Sequence, residues 1–197
     1  MKTSPAETKT TPSATYTKET PIVSLEQYSR PAVFFDRDGV LNVDSGFVYR
    51  PEDFRWIDGA IQTIKLFNTA NYLVFVITNQ SGVARGYYSE FEVQQLHTWM
   101  NAQLATQKAH IDAFYYCPHH QEAKHQQYRK ACDCRKPMPG LIQQAFAGWS
   151  LDKNKSFLVG DKNTDLQAAA AAGIRGYLFN EENLFDFITN LGLIKQY

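Results

Sequence analysis

Short apolar runs alternate along this chain with stretches whose apolar residues fall at helical spacing. That alternation limits the available folds more than any other feature. Ala32 to Phe35 is an apolar run that ends in an acidic, glycine-containing loop. Ala60 to Ala70 carries Ile61, Ile64 and Phe67 at helical spacing. Tyr72 to Ile77 is β-branched and apolar, and ends at Thr78. Ser89 and Glu92 form the signature of a capping box, ahead of a helix with Phe91, Leu96, Trp99, Met100 and Leu104. Ala113 to Tyr116 reads as a strand, and Pro139 as the N1 residue of a helix containing Leu141, Ile142 and Phe146. Ser156 to Val159, an alanine-rich helix over Thr164 to Ala172 closed by Gly173, a strand over Gly176 to Phe179 and a helix over Leu184 to Leu191 complete the series. Strands that alternate with helices build βαβ units, and therefore an α/β protein whose parallel sheet is covered on both faces.

Composition narrows the function classes. The chain has 197 residues, with 20 Lys and Arg against 20 Asp and Glu. That length suits one domain with a tail. Zero net charge argues against a nucleic-acid or polybasic membrane binder, so positive charge that holds an anion must be local. No run reaches the ~18–20 apolar residues of a membrane span, and residues 1–20 lack the apolar stretch of a secretory leader. A cytoplasmic monomer without nucleic-acid or membrane partners is expected. Residues 1–21 contain seven Thr and three Pro but no Leu, Ile, Val or Phe. They are expected to be disordered, and Ile22 to Tyr28 to lie against the body. Residues 1–29 thus read as a tail and 30–197 as the folded domain.

In an open parallel sheet the ligand binds beyond the carboxyl ends of the strands. The loops expected there are Asp36-Arg37-Asp38-Gly39, Thr78-Asn79-Gln80-Ser81-Gly82, a cysteine segment ending in Arg135-Lys136-Pro137, and Gly160-Asp161-Lys162-Asn163-Thr164-Asp165. Taken singly, each is an ordinary turn. Together they supply the parts of phosphoryl transfer, which needs positioning and charge neutralisation above all. Asp36 can serve as a carboxylate nucleophile. Asp38 can protonate the leaving oxygen and then deprotonate water. Two carboxylates facing a phosphate need a hard cation, and Mg²⁺ on Asp36, Asp161 and a backbone carbonyl near Asp38 fits. Thr78 offers a hydroxyl and an N–H to the phosphoryl oxygens, and Lys136 a compact positive charge. For Asp165, water-mediated metal binding and a helix cap stand equal.

The spacing Cys117-x-His119, twelve residues, then Cys132-x-Cys134 is that of a tetrahedral Cys₃His zinc site. It uses every cysteine in the chain. Such a site is closed, so a structural Zn²⁺ is expected to pin a long polar loop and hold Arg135 and Lys136 at the active edge. His120 is the alternative to His119. His97 and His110 read as ordinary helix-surface and loop histidines.

Asp36-Arg37-Asp38-Gly39-Val40-Leu41, Thr78-Asn79-Gln80, Lys136 and Gly160-Asp161 with Asp165 resemble the four motifs of the haloacid dehalogenase superfamily of phosphatases. The resemblance spans residues 32–179. It implies a Rossmann-like doubly wound sheet and an aspartyl-phosphate mechanism with Mg²⁺. The gaps after Asp38 and between Thr78 and Lys136 hold no cap domain, as in the capless subgroup. The Cys-Pro-His and Cys-Asp-Cys-Arg-Lys-Pro pattern is similar to two zinc-containing branches, the heptose-bisphosphate phosphatases and the histidinol-phosphate phosphatases. Asn42-Val43-Asp44-Ser45-Gly46-Phe47-Val48, Ser81 in the second motif and the long His119–Cys132 spacer favour the first. Phe47 stands where that branch usually has Tyr.

This resemblance implies removal of the 7-phosphate of a heptose 1,7-bisphosphate in ADP-heptose synthesis. It places Asp44, Ser45, Gly46, Phe47 and Thr78, Asn79, Gln80, Ser81 in the substrate pocket. It puts Arg135 on the distal phosphate or sugar, Lys136 on the transferred phosphate and Lys162 beside Asp161. Arg37, Arg135, Lys136 and Lys162 would face the charge of a small phosphorylated sugar, although an extended segment points Arg37 away from its flanking aspartates. A phospho-accepting receiver domain is the alternative of another class. Asp38 and the cysteine loop argue against it.

Overall fold

The structure, a computed structural model, describes Met1 and residues 29–194. Residues 2–28, which hold most of the tail and all of Ile22 to Tyr28, lie outside the described residues. Five strands form one sheet in the order β3-β2-β1-β4-β5, all parallel. They are β1 (Ala32–Phe35), β2 (Leu73–Asn79), β3 (Ala113–Cys117), β4 (Phe157–Gly160) and β5 (Arg175–Leu178). The helices are α1 (Ala60–Thr69), α2 (Ser81–Arg85), α3 (Glu90–Thr106), α4 (Gly140–Gly148), α5 (Asn163–Ala172) and α6 (Leu184–Asn190). The chain runs outward from β1 through β2 to β3, then returns to the other side of β1 for β4. The sheet's switch point therefore lies at the end of β1, which is where a ligand crevice opens in such folds.

The central strands are apolar throughout because both faces are covered. Side chains alternate between two cores. Val33, Phe35, Val74, Val76 and Val159 pack against α1, α3 and α6. Phe34, Phe75, Ile77 and Leu158 pack against α4 and α5. Phe34 is wholly buried, with its ring 5.3 Å from that of Phe75 and 6.0 Å from that of Phe146.

The helix ends follow local chemistry. Ser89 Oγ accepts from Glu92 N at 3.3 Å, while Glu92 accepts from Ser89 N at 2.7 Å, so the capping box is formed. Gly173 closes α5 in the left-handed region, with φ 73°. Pro139 stands one residue earlier than expected, at the N-cap of α4. The helix starts at Gly140 because its N–H is tied to Asp133 O at 2.8 Å, in the cysteine loop.

Two expectations about α3 are corrected. Its buried stripe is Val93, Leu96, His97, Met100 and Leu104. Phe91 lies two residues ahead of Val93, on the opposite face, and is exposed. His97 is four residues after Val93 and so is not a surface histidine. It is buried, with its ring stacked on Phe114 at 4.4 Å.

No cap domain interrupts the sheet among the described residues. The span from β1 to α1 is a loop with a 3₁₀ turn over Pro51–Asp53, and the span from β2 to Lys136 holds α2, α3, β3 and the cysteine loop. No helix of the described residues is long and apolar enough to cross a membrane.

Phe34→Ala removes a buried ring from a core that cannot collapse around β1. A loss of about 3–5 kcal/mol is expected in urea unfolding, and a loss under about 1 kcal/mol would show that this face is not close-packed.

Candidate active site

A cleft of about 250 Å³ opens at the carboxyl edge, over the ends of β1, β2 and β4. Asp36, Asp38, Asp44, Gly46, Phe47 and Thr78 line it, as do Asn79, Gln80, Ser81, Lys136 and Lys162. All were expected there. Tyr88, Thr164 and Asp165 line it too. Asp161, Ser45 and Arg135 do not. Ser45 lies in a neighbouring groove with Phe47 and Tyr87. Arg135 lies in a larger cleft, about 780 Å³, which shares Lys136 with the first and is lined also by Arg85, His120 and Lys130.

Lys136 is the centre of charge. It is 4% exposed, and its Nζ makes three contacts. These are 2.8 Å to Asp36 Oδ1, 2.6 Å to Asp165 Oδ1 and 3.0 Å to Ile77 O. An ammonium has three N–H groups, so all are spent. Burial works against its charge, but Asp36 and Asp165 outweigh that and raise its pKa. Asn79 places the backbone of this residue. Its Oδ1 accepts from Lys136 N at 3.0 Å and its Nδ2 donates to Lys136 O at 3.1 Å. Asn79 thus extends the pairing of β2 to a residue far along the chain.

Asp36 is 6% exposed. Its Oδ1 also accepts from Arg37 N at 2.7 Å. Its Oδ2 has no hydrogen-bond partner, and the residue lines the cleft. Burial pushes Asp36 up to about 7; Lys136 opposes this, while Asp165 and Asp38 add to it.

Asp38 sits in different surroundings. Arg37 donates to it from Nε at 3.2 Å and from Nη2 at 3.0 Å to each oxygen. Asn42 Nδ2 donates to its Oδ1 at 3.0 Å and Gln80 Nε2 to its Oδ2 at 2.9 Å. This corrects the expectation for Arg37, which does not point away. The loop turns back at Gly39 rather than running extended, so the guanidinium folds over Asp38 and also donates to Val48 O at 2.6 Å. Wholly buried, it adds nothing to the charge that faces a substrate. Its other nitrogen, Nη1, lies 3.5 Å from His97 Nε2. Burial and Arg37 hold His97 well below the usual histidine range, so it faces the guanidinium as a neutral ring.

Carboxylate oxygens of Asp36, Asp161 and Asp165 lie within 4.8 Å of one another. Asp161 Oδ1 is buried without a hydrogen-bond partner, an arrangement that a hard cation satisfies. The side chain of Asp38 is not in this set, and Asp165 is. Asp165 also caps α5, since its Oδ2 accepts from Lys162 N at 3.0 Å. Gly39, with φ +90°, lets Asp161 come this close, because a Cβ there would collide with its carboxylate. Lys162 Nζ lies 3.3 Å from both Asp44 Oδ2 and Asp161 Oδ2 at the open rim. Burial disfavours its charge, but these two carboxylates raise its pKa.

The second metal-type cluster joins Cys117, His119, Cys132 and Cys134. His119 Nδ1 lies 3.6 Å from Cys117 Sγ and 3.2 Å from Cys134 Sγ. Cys117 Sγ lies 3.6 Å from Cys132 Sγ and 3.1 Å from Cys134 Sγ. A tetrahedral zinc sets such atoms about 3.5–3.8 Å apart, so the set fits one ion after a shift of a few tenths of an ångström. His120 is turned elsewhere, with Nδ1 accepting from Glu122 N and Nε2 3.3 Å from Arg85 Nη2.

Burial raises the pKa of Asp36 above the value of about 4 it has in the unfolded chain, so ionising it costs the fold more than the unfolded chain. Its contribution to stability is full below that value and is lost as pH rises through about 7. In magnesium-free buffer the melting temperature of the wild type should fall more between pH 5 and 8 than that of Asp36→Asn. Equal slopes would refute the burial effect.

A HAD-hydrolase-like family model matches residues 133–183. A protein of Rhodopseudomonas palustris named D-glycero-beta-D-manno-heptose-1,7-bisphosphate 7-phosphatase is 48% identical over 81% of this chain and 88% of its own. The protein of that name from Escherichia coli K12 is 42% identical over 74% and 76%. The D,D-heptose 1,7-bisphosphate phosphatase of B. bronchiseptica, solved with magnesium and phosphate, has TM-score 0.70 and 34% identity over 81% of this chain and 86% of that one. A HAD-like phosphatase structure from Mesorhizobium loti has TM-score 0.72 and 32% identity over 76% and 72%. The chain therefore belongs to the heptose-bisphosphate phosphatase family of haloacid dehalogenase-type hydrolases.

Proposed function

We propose that the chain removes the 7-phosphate of D-glycero-β-D-manno-heptose 1,7-bisphosphate, leaving the 1-phosphate for ADP-heptose synthesis. It would work as a cytoplasmic monomer. The observation that carries the reading is a cleft lined by Asp36, whose Oδ2 has no hydrogen-bond partner, the firmly held Asp38 and Asp165, beside which Asp161 joins Asp36 and Asp165 in a cation-type set. The β anomer follows the names of the relatives.

Asp36 Oδ2 attacks phosphorus, and the bond from phosphorus to the sugar O7 breaks. Asp38 gives its proton to that oxygen as it leaves. The result is a phosphorylated Asp36 and a carboxylate at Asp38. Asp38 then takes a proton from water, whose oxygen attacks phosphorus, and phosphate leaves as Asp36 is restored. Thr78 donates to a phosphoryl oxygen throughout. A magnesium ion held by Asp36, Asp161 and Asp165 would supply the charge that draws the phosphoryl oxygens in and keeps these carboxylates ionised.

The second cleft supports a bisphosphate. It shares Lys136 with the first and adds Arg85, Lys130 and Arg135, cations suited to a distal phosphate. Zinc on Cys117, His119, Cys132 and Cys134 would hold the loop that carries Arg135 and Lys136. The Asp38 acid–base position is foreign to a receiver domain.

Asp36→Asn should abolish turnover while the protein stays folded; retained activity would overturn the nucleophile. The wild type should show a higher kcat/KM on the heptose bisphosphate than on histidinol phosphate, and the reverse order would assign it to the other branch. Metal analysis should find one zinc per chain, and Cys132→Ser should lower activity with Asp36, Asp161 and Asp165 untouched. No zinc, together with unchanged activity, would refute the structural role.

A further inference from the structure

We infer that Tyr88 is a positioning residue that sets the direction of a buried hydrogen-bond chain ending at the Thr78 hydroxyl. In this way it fixes how Thr78 meets a phosphoryl oxygen. The inference rests on the phosphatase reading and adds to it a residue that contributes no chemistry of its own.

The chain is short and sealed. Tyr88 is 7% exposed, Gln80 1% and Thr78 1%. The Tyr88 hydroxyl donates to Gln80 Oε1 at 2.7 Å. Gln80 Nε2 donates one N–H to Thr78 Oγ1 and the other to Asp38 Oδ2, each at 2.9 Å. Every atom of the Gln80 amide that can bond is therefore directed inward. Gln80 reads as a bridge between two site residues rather than as a contact to the sugar.

Direction matters because an amide has one donating end and one accepting end. Nε2 is taken up by Asp38 Oδ2 and Thr78 Oγ1. Oε1 must then face Tyr88, whose hydroxyl must donate. Burial pushes Tyr88 up to about 12, so the hydroxyl keeps its proton at every working pH. With Nε2 already donating to Thr78 Oγ1, the proton of Thr78 is not needed by Gln80. It is left to point into the cleft, toward a phosphoryl oxygen.

Without the Tyr88 hydroxyl, Gln80 Oε1 is a buried acceptor with no donor, which is costly. The amide is then held at Nε2 alone, and the alignment of its N–H with Thr78 Oγ1 loosens. The tyrosine cannot swing away to avoid its role. Its ring is stacked on Tyr49 at 4.8 Å with an interplanar angle of 18°. On another side it rests on Gly82, where a Cβ would collide with the ring.

Tyr88→Phe deletes only the hydroxyl and keeps the ring, its stack and its seat. Activity is read on p-nitrophenyl phosphate as well as the heptose bisphosphate. The variant should lose about tenfold in kcat, with KM within about twofold. It should also bind inorganic phosphate more weakly than the wild type in magnesium buffer. Gln80→Met should cost more, and Tyr88→Phe in that background should cost nothing further, since the bridge it acts through is gone. A wild-type kcat in Tyr88→Phe, a loss confined to KM, or full additivity in the double variant would each overturn the inference. A wild type that hydrolyses p-nitrophenyl phosphate but spares the heptose bisphosphate would sink the substrate reading alone. In a wild type inactive on both, unweakened phosphate binding in Tyr88→Phe would overturn the relay, and weakened binding would support it.

Discussion

A lysine ammonium buried between two carboxylates is the interaction on which the rest of the site depends. Taking Lys136, Asp36 and Asp165 out of water costs several kcal/mol per charge, and only near-ideal pairing offsets that. The pairing draws on most of the fold. Asp36 comes from the end of β1, the Ile77 carbonyl from β2 and Asp165 from the first turn of α5. Lys136 itself comes from a loop that no strand delivers directly. Asn79 clasps its backbone on one side and the Cys₃His cluster gathers the chain just before it. Removing one partner would leave a buried charge unpaired, at about 3–5 kcal/mol.

Asp36 and Asp38 are two residues apart and are set up in opposite ways. Asp36 is desolvated, with one oxygen bound and the other bare, a condition suited to forming a bond to phosphorus. Both oxygens of Asp38 are gripped by Arg37, Asn42 and Gln80, which suits a group that trades a proton without moving. Separate environments let neighbouring carboxylates in one cleft take up different chemistry. His97 supports this at one remove, as a neutral ring beside the buried guanidinium of Arg37.

The parts of the fold that repeat were legible in the sequence. Buried parallel strands read as apolar runs, and Ser89 with Glu92 marks a helix start, because each is a local signal. Asp36, Asp38, Thr78 and Asp161 were legible because strand ends point to one edge. The roles of Arg37, Asn79, Gln80, Tyr88 and His97 were not. Arg37 depends on the turn at Gly39, which brings its side chain back over Asp38. Asn79 and Gln80 look like pocket amides until their partners at Lys136, Asp38 and Tyr88 are placed. His97 shares the spacing of the buried stripe of α3, and the helical period alone could have found it. Tyr88 carries no local signal, since its hydroxyl matters only through Gln80.

The cysteine loop divides into a fixed and a free portion. Lys136 is located by Asn79, by its carboxylate partners and by Asp133 and Cys134 next to the start of α4. The span between His119 and Cys132 is held by its own bonds, such as the Arg129 guanidinium on the Ala123 carbonyl. It docks on the body through Lys124 N to Ala84 O at 2.8 Å. That span supplies His120 and Lys130 to the larger cleft but nothing to the lining of the smaller one around Asp36. None of the bonds that hold Lys136 comes from that span. A change in that span would therefore reshape the lining of the larger cleft and leave the bonds around Lys136 in place.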